Sequence, residues 1–346
     1  MDWPDTTSLR RMALHVVGAF LLLAGVGLEA MTARGLLNYH ASTERHGGEV
    51  IDLNADTGPQ AGQRGFMARI VGTPQVVEAA RDAAFNLQVN TPLLMRHAEM
   101  FQWREIRIGG SVHYELDWVD HLVDASHFQQ PGGHLNPAKF PIRNRDFLAG
   151  LVTLGGFKLS AQLLHALPGY QPVSPDLQAL PANMAASFGK YGNYLVTSSH
   201  AGAPQLGDVR VSWGEIPLQQ VTVFARIDGD RLVAATDASD GKGYHVEIGN
   251  VSLLDMFPDI PMPPEFVQGK RILALLLAAL GALLLCCMKQ QKRADIPLAM
   301  GLSGLAVGSV ASVVWLGHDT GILLGWLAVA MSGLLLAIWR VRLRAD

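Results

Sequence analysis

Four stretches of the chain are almost free of charge: Met12–Leu28, Ile272–Met288, Ile296–Leu316 and Gly321–Trp339. Each runs 17 to 21 residues. At roughly 1.5 Å of rise per residue they reach about 26–31 Å, the depth of a bilayer's hydrocarbon core. More than 200 residues of ordinary globular patterning separate the first stretch from the second. There the apolar positions alternate. Phe101, Trp103, Ile106 and Ile108 answer Val112, Tyr114, Leu116 and Trp118 across Gly109-Gly110, which predicts a β-hairpin with a two-residue primed turn. EVIDLNA and GFMARIVG predict two strands within 48–74, and Val76–Phe85 predicts a short helix. YLVTS, DVRVSW, QVTVFARI and RLVAAT predict further strands, with a turn at Asp228-Gly229-Asp230.

Phe147–Leu167 is the ambiguous segment. Its 21 residues almost satisfy a hydropathy window, but Lys158, Gln162 and His165 place a polar stripe at helical spacing. One or two helices broken near Gly155-Gly156 are expected, either buried in the domain or lying on the membrane. In the second case Phe147, Leu151, Phe157 and Leu163 would touch lipid. The fold class expected is an α+β membrane protein. It has four transmembrane helices, one N-terminal and three C-terminal. The large extracytoplasmic domain is rich in antiparallel strands and includes an apolar helical segment.

Charge placement orients these elements. Arg10 and Arg11 precede the first span, Lys289, Lys292 and Arg293 separate the second from the third, and Arg340, Arg342 and Arg344 follow the fourth. The positive-inside rule puts all three segments in the cytoplasm. The chain then divides into a cytoplasmic N-terminus (1–11), a first span (12–32) and an outer domain (33–270). A second span (271–288), a cytoplasmic loop (289–295) and a third span (296–316) follow. An outer loop (317–320), a fourth span (321–339) and a cytoplasmic tail (340–346) complete it. The first span lacks a clear cleavage site and reads as an uncleaved anchor, with Glu29 solvated at the outer interface. Residues 35–270 carry 17 Lys and Arg against 24 Asp and Glu, a net of −7, which disfavours nucleic acid as a partner. Arg outnumbers Lys by 20 to 7, which suggests a GC-rich bacterial source and hence an inner membrane. Cys286 and Cys287 adjoin a span end, so the outer domain has no disulfide; juxtamembrane palmitoylation is the functional reading of the pair.

Several segments together resemble the transmembrane protein 43 (LUMA) family. Glu99-Met100-Phe101-Gln102-Trp103 with Glu105 matches its E-M-x-Q-W-x-E stretch, and Tyr114 with Trp118 its Y-x-x-x-W strand. Phe128 with His134, Asn136 and Pro137 matches its F-…-H-x-N-P turn, and Gly207-Asp208 opens a strand like its G-D-L-R-V-S. The resemblance implies a multi-pass protein that self-associates and organises membrane-protein complexes without being an enzyme. In animals it implies the endoplasmic reticulum and inner nuclear membrane.

Candidate chemistry is sparse, and no cofactor is expected. Asp117, Asp120, His121, Asp124, His127 and His134 are ligand types at no zinc spacing. Ser198-Ser199-His200 precedes a turn, where loop hydrogen bonding suffices. Gly301-Leu302-Ser303-Gly304 echoes an intramembrane protease motif, but neither His15 nor His318 lies at its depth. Gly301, Gly304, Gly308 and Ser312 instead predict a close-approach helix face, used by the fourth span or by a second protomer. Trp103, Tyr114, Trp118, Trp213 and Phe224 read as core. Membrane lipids, further copies of the chain and unidentified membrane proteins are the partners expected.

Overall fold

A computed structural model describes residues 6–54, 57–198, 200–286 and 295–345. It divides into two compact units, one of residues 1–43 and 257–346, the other of residues 44–256.

The second unit is built on two sheets. The larger orders its strands Val50–Asn54, Met67–Gly72, Val221–Asp228, Arg231–Val233, Phe157–Leu159, Leu151–Leu154 and Gln75–Glu78, with His245–Ile248 also beside Val221–Asp228. The smaller orders Gly189–Tyr191, Tyr194–Val196, Val209–Glu215, Leu93–Ile108 and Ser111–Val119. The hairpin expected at Gly109-Gly110 is present, with nine consecutive pairs from Met100↔Val119 to Ile108↔Ser111. Both glycines have positive φ (56° and 85°), as a primed turn requires. Inward-facing residues of both sheets, among them Ile70, Val223, Leu94 and Val211, join one hydrophobic core. Two pairings are parallel, Val50–Asn54 with Met67–Gly72 and Phe157–Leu159 with Arg231–Val233, so the larger sheet is mixed.

Two expectations are corrected here. Phe147–Leu167 is not a broken pair of helices. It forms the strand end at Phe147-Leu148, a hairpin of Leu151–Leu154 with Phe157–Leu159 turned at Gly155-Gly156, and one short helix, Ala161–Ala166. Phe157 and Leu163 are 1% and 0% exposed, so they pack in the protein core and have no surface to give to lipid. Phe147 and Leu151 are half-buried, and Phe147 lies between the Arg96 and Arg145 guanidiniums, 5.4 and 5.3 Å away. Val76–Phe85 is likewise extended, as the strands Gln75–Glu78 and Ala80–Asp82.

A charge lies inside this core. Arg96 Nη1 donates to both Asp82 oxygens at 3.1 and 2.9 Å, its Nε donates to the Arg143 carbonyl, and Trp213 Nε1 donates to Asp82 at 3.1 Å. The Phe85 and Phe147 rings both lie against the guanidinium, each 5.4 Å away.

Among the described residues four helices are long and apolar enough to cross a membrane, Met12–Arg45, Val267–Cys286, Ile296–Trp315 and Thr320–Leu343, and apart from the end of the first they make up the first unit. The first helix runs past the expected end of its span. Cys287 and the basic residues Lys289, Lys292 and Arg293 lie outside the described residues. The small-residue face of the third helix is occupied by the fourth. A Cβ on Gly301 would lie 2.8 Å from the Gly333 carbonyl oxygen, one on Gly308 2.7 Å from the Ala330 nitrogen, and one on Gly304 3.5 Å from Gly333 Cα. Ser312 is buried and donates to the Gly308 carbonyl at 2.7 Å. Arg340 closes the far end on Asp295, which also caps the third helix at the Leu298 amide. Gly25 meets Ala274 and Ala278 of the second helix in the same way. Glu29 departs from expectation: it is fully buried, 3.7 Å from Arg271, because the Val267–Cys286 helix packs over it.

Gly308→Leu is expected to destabilise the helical hairpin by about 1–3 kcal/mol, the usual overpacking cost. Thermal melting in detergent should show the loss, while light scattering shows no change in subunit number. A variant that melts like the wild type would mean the two helices do not meet at Gly308.

Candidate functional site

The motif residues converge on the long hairpin, and most of them fasten a loop to it. Strand Val209–Glu215 accompanies Leu93–Ile108 only as far as Met100. Phe101 then bonds to Gly207 and Asp208, and beyond it the Trp103 amide and carbonyl would be bare. The Asn136 side chain takes the missing strand's place. Its oxygen accepts from the Trp103 N–H at 2.8 Å and its nitrogen donates to the Trp103 carbonyl at 3.0 Å. Gln102, fully buried on the opposite face, holds the same loop by donating to the His121 carbonyl and accepting from the Val123 amide.

Aromatic packing completes this clasp. His134 stacks on Tyr114 with centroids 3.9 Å apart and meets the edge of Trp103 at 4.8 Å, and Phe128 lies 5.7 Å from Tyr114. The Tyr114 hydroxyl donates to Glu105 at 3.0 Å and accepts from the Gln130 amide at 2.8 Å. The Gln129 amide donates to the same Glu105 oxygen, and this bond is the main reason the carboxyl sits below its ordinary pKa. Pro137 packs on Gly207, whose φ of +91° few side chains tolerate, and Asp208 accepts from the Gln205 amide to hold the turn.

Glu99 and Trp118 do something else. They stand on the outward face of the smaller sheet, with the core on its other side. Tyr194, Arg210, Trp118 and Phe101 form a ladder there, with steps of 4.8, 4.7 and 5.3 Å, the last between rings tilted by 56°. Glu99 locks the ladder with two bonds to Arg210, at 2.5 and 2.9 Å. Beside it opens a cleft of about 480 Å³, bordered by His97, Glu99, Trp118, His121, Tyr170 and Tyr194. Gly214 forms part of the strand beneath, and the Tyr170 ring lies so close that no Cβ would fit. Asp120 hydrogen-bonds His121 at 2.8 Å, which lowers its carboxyl pKa. The same two residues border a neighbouring hollow of about 660 Å³, lined by Leu122, Lys139, Phe140 and Arg143.

The cleft thus offers ring faces, imidazoles and a guanidinium, the features of a binding surface. Ser212 faces His97 as its cross-strand neighbour, but no hydrogen bond joins them among the described contacts. The ligand-type residues of 117–134 are spent on local partners. Asp117 binds Arg104 at 2.5 Å, and Asp124 caps a short helix at the Ser126 amide. Among the described residues no group of three such side chains could hold a metal. Ser198 accepts from the His200 amide, as a loop turn would have it, and Ser199 lies outside the described residues. The Ser303 hydroxyl donates to the Met300 carbonyl of its own helix. Trp213 and Phe224 are core as expected, at 1% and 0% exposed. Trp103, Tyr114 and Trp118 are not: alternation turns them to the outward face, where they are half-buried.

Among the described residues, four apolar helices, one before and three after a strand-rich domain in the sequence, define a multi-pass membrane protein. The model of the family Transmembrane protein 43 matches residues 100–331, more than half of the chain, and the chain belongs to that family. It is 24% identical over 262 residues to the Transmembrane protein 43 homolog of Drosophila melanogaster, covering 70% of this chain and 68% of the relative. It is 25% identical over 215 residues to Transmembrane protein 43 of Rattus norvegicus and, separately, to that of Homo sapiens, covering 56% of this chain and 53% of each relative. The chain thus spans about half the length of these mammalian relatives. None of the three is named as an enzyme. No solved structure matches.

Two outcomes test the clasp. Asn136→Ala leaves the Trp103 amide and carbonyl unanswered and should cost about 1–3 kcal/mol in denaturant unfolding. An unchanged midpoint would show that water replaces the side chain freely. The lowered Glu105 pKa gives a pH dependence. The stability from this carboxylate is complete above its unfolded value of about 4.5 and is lost as pH falls through the lower folded value. Hydrogen-exchange protection of the Gln129 and Gln130 amides should therefore fall on acidification. Glu105→Gln should remove that acid dependence, and equal acid sensitivity in the variant would assign it to another group.

Proposed function

We propose that this chain is a non-enzymatic membrane scaffold that self-associates and gathers other membrane proteins through its outer domain. The observation that carries the reading is the cleft beside the Tyr194–Arg210–Trp118–Phe101 ladder. Interfaces favour aromatic residues, which bury much surface at little cost in side-chain freedom, and arginine, whose planar guanidinium both stacks and donates several hydrogen bonds. Here those residue types stand outward on a sheet instead of filling the core, already held in place by Glu99. Rigid anchors bind without a large ordering cost. The basic segments 10–11 and 340–344 support a cytoplasmic placement of both termini, with the outer domain on the opposite side of the membrane. The high arginine usage supports a bacterial inner membrane.

Arg210→Ala opens the ladder while leaving the hydrophobic core intact. Membrane proteins that co-purify with the wild-type chain in mild detergent should be lost by about tenfold or more from the variant. The clasp amides should keep their hydrogen-exchange protection. The same set of proteins at the same yield would rule out the cleft as the docking surface.

A further inference from the structure

The outer strand of the long hairpin, Ser111–Val119, pairs on one side only. A two-residue turn closed by Ile108↔Ser111 directs the backbone groups of residues 111, 113, 115, 117 and 119 toward Leu93–Ile108. Those of Val112, Tyr114 and Leu116 point away, and among the described residues no other backbone segment bonds to them. Proteins usually blunt such an edge with a bulge, a lysine, a proline or brevity. Two other edges here are blunted: Gln75–Glu78 is bulged between Val76 and Glu78, and Gly189–Tyr191 is three residues long and carries Lys190. Ser111–Val119 has nine residues in unbroken register, with neither Lys nor Pro. Its carboxylates Glu115 and Asp117 lie against Arg104, and Asp117 answers the Trp118 amide at one end. Val112, Tyr114 and Leu116 are left open, Leu116 being 37% exposed.

We propose that this edge pairs with the same strand of a second copy, antiparallel about Tyr114, making one sheet continuous across a two-fold axis. The inference rests on the self-association reading above and assigns its surface. Only registers that set even-numbered residues opposite one another let the free backbone groups meet. Centring on Tyr114 sets Val112 against Leu116 of the partner subunit, and His113 against Glu115 of the partner subunit. A two-fold axis makes each of these pairs twice. The adjacent permitted registers are worse matched. Centring on His113 opposes two histidines, and centring on Glu115 opposes two carboxylates, which like-charge repulsion disfavours. His113 and Glu115 are both exposed, and Glu115, which lies 3.8 Å from Arg104 on the neighbouring strand, keeps its second oxygen for the partner's histidine.

The test uses the full chain in detergent, with Cys286 and Cys287 replaced by alanine. Residues 113 and 115 of opposite copies would form a non-hydrogen-bonded pair with Cα atoms about 4.5 Å apart, within disulfide range. Oxidising His113→Cys together with Glu115→Cys should therefore give a covalent dimer, while either single variant should give none. A dimer from the single His113→Cys or Glu115→Cys variant would overturn the register. Leu116→Pro supplies a second reading, since that amide serves only the free edge and the hairpin keeps its own bonds. By light scattering it should halve the assembly's mass, with the clasp amides still protected. An assembly that persists in Leu116→Pro and never cross-links would refute edge pairing and leave self-association standing. A monomeric wild-type chain would refute both.

Discussion

A guanidinium enclosed in a hydrophobic core must have its donors and both its faces answered, and Arg96 shows how much structure that demands. Its partners come from two separate segments of the strand-rich domain: Asp82 and Phe85 from one, the Arg143 carbonyl and Phe147 from the other. Trp213, from the neighbouring strand, shares the same carboxylate. Such a pair adds little net stability over an apolar replacement, but removing one member costs about 3–5 kcal/mol, because the other is then left charged and buried. Its effect is on uniqueness. Leu93–Ile108 cannot shift by one residue without carrying Arg96 to the outward face and the outward residues into the core. That single register places Glu99 and Phe101 outward in the ladder and Gln102 inward beneath the loop.

The clasp follows from the same register. Because Val209–Glu215 leaves the long strand near Met100, the strand needs a substitute partner at Trp103, and a primary amide carries the same N–H donor and C=O acceptor as a backbone peptide group. The stretches that mark the family are therefore mostly the parts that close the strand-rich domain: Gln102, Trp103, Glu105, Tyr114, His134, Asn136. Glu99 and Trp118 are the exceptions, since they face the cleft. A sequence signature of this kind says more about how the domain holds together than about what it binds.

The apolar spans and the long hairpin were legible because their periods are unambiguous. A charge-free run of span length fits little besides a membrane helix, and strict alternation about Gly-Gly fits little besides a hairpin. Phe147–Leu167 misled for a physical reason. Strands with a buried face and a turn between them make a nearly continuous apolar run, and length alone then favours a helix. The corrective signal was present in Gly155-Gly156, the same turn dipeptide that marks the long hairpin. The cleft left no comparable trace. Trp213 and Trp118 look alike in sequence, and only the strand pairing shows that one faces the core and the other faces out.

Glu29 shows the same limit inside the membrane unit. A carboxylate near the end of an apolar run is most simply placed in water, and nothing local to residues 12–32 argues otherwise. Its partner, Arg271, comes from a helix more than 200 residues later in the sequence, and the two lie 3.7 Å apart over a contact where Gly25 admits Ala274 and Ala278. Close backbone approach is what brings the two groups within reach of each other. Trp326 of the fourth helix lies 5.6 Å beneath the guanidinium, so the pair also spans a third element. Small residues decide how near the helices come, and the meeting of Glu29 with Arg271 marks which faces meet. Apolar side chains would not mark those faces, because in lipid they are no better off against a helix than against an acyl chain.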